Sequence, residues 1–165
     1  ADLCWFDQLY FLLKQKVFSW FDSYNIYDEN ENVIYKVKGE FAWGHLLRIY
    51  DESDTEVGLL KQKVFTLFPK FTLRIKDKEY LLNKEFTFLK EVFSIDDLDV
   101  EVKGDFWGWN YEIKKHDELI ARISKKLSYT DVYEINIKNE RNSVLVLLIV
   151  LSIDALHCDN GGTNG

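Results

Sequence analysis

Along this chain, apolar and polar positions alternate in short runs, and run after run ends in an acidic turn before a second apolar run follows it. The unit is marked by an aromatic residue or Leu, then any residue, then Ile. It occurs at Tyr24-Asn25-Ile26, Leu47-Arg48-Ile49, Leu73-Arg74-Ile75, Phe93-Ser94-Ile95, Tyr111-Glu112-Ile113 and Tyr133-Glu134-Ile135. Successive isoleucines stand 18 to 26 residues apart, and the first five are followed by DENEN, DESDTE, DKE, DDLD and KHDE. Side chains two apart share one face of a strand, so each unit reads as a β-hairpin. One heptad, LLKQKVF, is spelled out twice, at 12–18 and 59–65. It is the second strand of two equivalent hairpins, and such internal repetition determines the architecture.

The sixth unit is divided between the ends of the chain. VYEINI at 132–137 is a first strand with no second, and FLLKQKVF at 11–18 is a second strand with no first. Pairing them closes five hairpins and two halves into a ring of about twelve strands, which has no exposed edge. The expected fold is mainly β, a closed antiparallel barrel over 11–137 within a single domain, 1–165. A ring that wide leaves a lumen that must be filled. SVLVLLIVLSIDAL, beginning at Ser143, is apolar on nearly every face, and Arg141-Asn142-Ser143 suits a helix start. A hydrophobic helix at 143–158 is therefore expected to thread the barrel, with a disordered tail at 159–165. Its apolar stretch of about 13 residues falls short of the roughly 20 that span a bilayer, so the chain is not expected to be transmembrane.

Composition supports this reading. The chain has 165 residues, 47% hydrophobic and 16% aromatic, with one proline, as suits strands joined by tight turns. A net charge of -7 removes the electrostatic source of nucleic-acid binding. Cys4 and Cys158 lie far apart with no CxxC motif, which suits a reducing, cytoplasmic setting.

The assembled pattern resembles the LURP-one-related family, grouped with Tubby C-terminal domains and phospholipid scramblases. The resemblance is carried by KQKVFSWFDSYNIYDENENVIYKVKGEFAWGHLLRIYDE, VEVKGDFWGWNYEI and SVLVLLIVLSIDA, and covers roughly 12–156. It implies a twelve-stranded barrel around a C-terminal hydrophobic helix. Relatives are tied to plant defence, phosphoinositide binding and calcium-dependent lipid movement, and fold alone does not choose among these. The scramblase-type calcium segment corresponds here to YEINIKNERN, whose Glu134 and Glu140 fall far short of the six to eight oxygens calcium takes. No phosphoinositide motif is matched, and no metal or cofactor is expected.

Hairpin topology sorts the charges along the barrel axis. The tight turns gather Asp28, Glu29, Asp51, Glu52, Asp54, Asp77, Asp96, Asp97, Asp117 and Glu118 on one rim, where Asp suits the turns themselves. The opposite rim collects the connectors between hairpins, with Trp20, Phe21, Trp43, Phe68, Phe88, Trp107, Trp109 and Tyr129 among Lys16, Lys63, Lys84 and Lys126. Aromatic rings mixed with lysine suit contact with an anionic lipid headgroup layer or with a protein partner. The same rings folded inward would be lids on the core, and exposure decides between the two.

Enzymatic signatures are missing. His45, His116 and His157 have no HExxH spacing, His157-Cys158 has no orienting third group, and no phosphate-cradling glycine loop occurs. Asp154, four residues before the end of the expected helix, is expected to reach the barrel mouth, since a buried carboxylate is costly. The functional expectation is a non-enzymatic binding protein meeting a membrane surface or a protein partner through the barrel exterior or the aromatic-lysine connector rim. A scaffold without a small ligand and a small-molecule carrier are the alternatives.

Overall fold

The computed structural model describes residues 9–14, 23–42, 44–87, 90–125 and 132–161. Twelve strands follow one another: β1 (Leu9–Lys14), β2 (Ser23–Tyr27), β3 (Val33–Ala42), β4 (Gly44–Tyr50), β5 (Glu56–Gln62), β6 (Lys70–Ile75), β7 (Lys78–Thr87), β8 (Lys90–Ile95), β9 (Val100–Asp105), β10 (Asn110–Lys115), β11 (Glu118–Lys125) and β12 (Val132–Ile137). Each pairs antiparallel with its sequence neighbours, and β1 pairs with β12, from Leu9 opposite Ile137 to Lys14 opposite Val132. The sheet is thus a closed barrel, joined where the divided hairpin predicts.

The repeated motif is the barrel's inner wall. Ile26, Ile49, Ile95, Ile113 and Ile135 are completely buried, and Leu47, Leu73, Phe93 and Tyr111, two residues before an isoleucine, face the same interior. Ile75 alone among the six is only partly covered. The lumen is filled by α1 (Ser143–Gly161), whose residues from Val146 to Val150 have no solvent exposure. The helix ends at Gly161 rather than at the expected 158, so 159–161 belong to it and not to a tail. Residues 162–165 lie outside the described set. A 3-10 turn, Glu140–Asn142, leads into the helix, and the Asn139 side chain accepts from the Arg141 amide at 3.1 Å.

Two glycines let backbone and helix come close. A Cβ on Gly58 in β5 would lie 2.9 Å from Val144 Cγ1 and 3.3 Å from Leu148 Cδ1. Gly104 in β9 has φ of 145°, and a Cβ there would stand 2.5 Å from the Tyr111 backbone. Gly104→Ala is therefore expected to cost about 2 kcal/mol or more, read from the shift in denaturation midpoint, because both the dihedral and the contact oppose it. An unchanged midpoint would mean that the β9–β10 pairing yields freely.

Candidate functional site

The acidic turns β2–β3, β4–β5, β6–β7, β8–β9 and β10–β11 lie at one end of the barrel, and local chemistry accounts for their acidity. Asp28 Oδ1 accepts from the amides of Asn30 and Asn32, each at 2.9 Å, and Asp51 Oδ1 does the same for Ser53 (2.9 Å) and Thr55 (3.0 Å). The Asn32 amide is the main reason that the Asp28 carboxyl titrates below its ordinary range. Glu31 and Asp54 fill the left-handed position of the two turns. Between these turns and the start of α1 lies an open cavity of about 520 Å³ bordered by Glu29, Glu52, Glu140, Tyr35 and Ser143. Burial, first of all, raises the Tyr35 pKa; the nearby Ser143 hydroxyl opposes the rise without reaching hydrogen-bond geometry. No group of three His, Cys, Asp or Glu among the described residues is placed to hold a metal ion.

At the opposite rim, the connector between β5 and β6 stands out into solvent. Phe65 is 98% and Leu67 90% exposed, with Val64 and Phe68 about half exposed. The Lys63 amide donates to the Lys70 carbonyl at 2.9 Å and closes the base of this loop, while Phe65 takes the left-handed conformation at φ 59°. Lys61 and Lys63 are exposed beside it, and a shallow groove of about 420 Å³ runs between the loop and His45. Sequence reasoning named Lys63 and Phe68 here but not Phe65 or Leu67. The available signal was Pro69, which has no amide for a sheet ladder and lengthens this connector into a true loop.

The two tryptophans of the β9–β10 turn part company. Trp107 is 62% exposed. Trp109 is half-buried against the core and stacks on Tyr133, with ring centroids 3.7 Å apart. Lys84, expected on the rim, lies inside β7 and is buried, with its Nζ 3.2 Å from Glu91 and 5.9 Å from the Phe93 ring centre. Lys16, Trp20, Phe21, Trp43, Phe88, Lys126 and Tyr129 lie outside the described residues.

Below the rim, the last turns of α1 bring ionisable groups into the barrel base. Asp154 is buried, not at the mouth, and burial pushes its pKa to about 7. Tyr111 faces it from β10, and burial, helped by the Asp154 charge, holds the phenol well above its ordinary pKa. One turn after Asp154, His157 stacks on Trp107.

A sequence profile described as LURP-one-related matches residues 10–154. The uncharacterised protein YxjI of Bacillus subtilis (strain 168) is 32% identical over 145 residues, covering 86% of this chain and 90% of its own. The X-ray structure of a protein from Arabidopsis thaliana superposes with a TM-score of 0.68 over 92% of each chain at 16% identity, a likeness of fold.

Proposed function

The chain belongs to the LURP-one-related family, and from that premise we propose that it is a non-enzymatic binding module of the cytoplasm that docks peripherally on anionic membranes through its connector rim. No helix among the described residues is long and apolar enough to cross a bilayer. The observation that carries the proposal is the β5–β6 loop, where Phe65 and Leu67 stand almost wholly in solvent beside Lys61 and Lys63. Folded chains seldom leave adjacent large apolar side chains so bare, and rings and leucines enter the headgroup layer while lysines meet anionic lipid. The acidic turns do not oppose this contact. They sit at the far ends of the strands, and six residues of strand span roughly 20 Å, more than twice the screening length of about 8 Å in physiological salt.

Flotation with phosphatidylserine-containing and pure phosphatidylcholine vesicles tests the reading. Binding is expected to the anionic vesicles and to weaken with salt. Phe65→Asn, which tolerates left-handed backbone, combined with Leu67→Ser should weaken it on the order of a hundredfold, as loss of about 3 kcal/mol of apolar insertion requires. The unfolding midpoint of that double variant should hardly change, since neither side chain is in the core. Protein that stays at the bottom of every gradient sinks the proposal and directs the search to protein partners.

A further inference from the structure

The end of α1 and the exposed tryptophan of the rim meet at one place. His157 is buried, and neither ring nitrogen has a hydrogen-bond partner among the described residues. Its imidazole lies flat against Trp107, with 4.5 Å between centroids and 13° between planes. Phe106 anchors the turn from below, edge-on to Phe93 at 4.9 Å and tilted on Tyr111 at 5.1 Å. Asp105 Oδ1 accepts from the Gly108 amide at 2.9 Å and fixes the turn from its other side. Trp107 therefore rests one face on the helix and turns much of its surface to solvent, whereas Trp109 is held by Tyr133.

We propose that His157 and Trp107 form a proton-operated latch, in which the neutral imidazole seats the indole against the barrel base and protonation frees the indole to join the docking rim. The cellular use of such a latch rests on the docking reading; its physics does not. Protonation would give the ring two N–H donors and a charge, with no hydrogen-bond partner for them among the described residues. Burial, the largest influence, holds the His157 pKa below its ordinary value; Glu91 on β8 raises it, Lys84 on β7 lowers it, and Asp105 at the end of β9 raises it. Glu91 Oε1 pairs with Lys84 and Asp105 Oδ1 accepts from Gly108, and neither carboxylate hydrogen-bonds the imidazole. From β10, Tyr111 stays neutral across the physiological range, and Asp154, on the same helix face, becomes neutral as pH falls below about 7. Stacking on the indole offers the imidazolium a cation–π attraction, but the ring face supplies no acceptor for its two N–H donors, and water supplies both. The cover between it and water is Trp107. An anionic surface at about −30 mV concentrates protons roughly threefold, so the membrane itself favours release.

The test is 19F NMR of the protein labelled with 5-fluorotryptophan, the Trp107 signal being identified by its loss in Trp107→Phe. Between pH 7.5 and 5 this signal is expected to move in one titration step. The freed fraction should rise about tenfold per pH unit on the approach to the midpoint. The step should vanish in His157→Gln and persist in Asp154→Asn. A fixed Trp107 signal in folded wild-type protein, or an equal step in His157→Gln, overturns the latch. Should His157→Gln not fold, the 15N shifts of His157 in the wild type must titrate with the Trp107 midpoint, and any other midpoint overturns it. Flotation with phosphatidylserine vesicles at pH 5.5 and 7.5 separates the two ideas. Equal binding with Trp107 fixed keeps docking and sinks the latch; a freed Trp107 with no binding at either pH does the reverse.

Discussion

Asp154→Asn should raise the stability of the protein at pH 8 by about 4 kcal/mol and change it by less than about 1 kcal/mol at pH 4. Asp154 is 5% exposed, and burial lifts its pKa from 3.8 to about 7. Between those values the folded state holds a proton that the unfolded state has released. The carboxyl's contribution to stability is therefore complete below 3.8 and is lost as pH rises through 7, leaving an ionised group in the barrel. Asparagine keeps the shape and removes the charge. Denaturant midpoints at pH 4, 6 and 8 measure the effect, and a gain that is the same at all three would show that ionisation is not its source. His157 acts with the opposite sign. Burial lowers its pKa, so its contribution is present above the ordinary value of 6.5 and fades as pH falls through the folded one. Two groups one helical turn apart thus limit the stability of the barrel base from the alkaline and the acid side.

Leu148→Ala should cost about 4 kcal/mol, toward the upper end of the range for large-to-small core changes. Leu148 has no exposure and faces Gly58, where the helix runs nearest to β5. The cost of such a deletion depends on how far the surroundings can collapse. Here they are a wall of strands hydrogen-bonded all the way round, and one strand cannot move inward without straining both neighbours. Chemical denaturation reads the loss directly. A cost below about 1 kcal/mol would mean that the ring is compliant enough to close on the void.

The sequence made the wall legible because its interior is dry. With the inner face of the wall packed on the helix, Ile26, Ile49, Ile95, Ile113 and Ile135 could not be polar, and a one-residue slip would have turned each of them outward. Closure was legible for a related reason, since two unmatched half-hairpins at opposite ends leave two edges that suit each other. The rim was harder to read. Trp107 and Trp109 are the same residue two positions apart, yet the turn sends one to solvent and the other onto Tyr133, with Trp109 in the left-handed region at φ 54°. Lys84 was misplaced because β7 runs on to Thr87, three residues beyond it. Asp154 was misplaced because the helix continues to Gly161, which leaves that carboxyl well short of the end. Hydrophobic pattern records which face is covered; it does not record where a strand or helix stops.

The helix is last along the chain and innermost in space. A finished ring could not admit it, because its side chains fill the lumen and every strand edge is already bonded. The wall must therefore wait, curled but open, until the segment after β12 has arrived, and only then can β1 and β12 meet across more than a hundred residues of chain. The β1–β12 seam is where the cylinder would be closed last during folding.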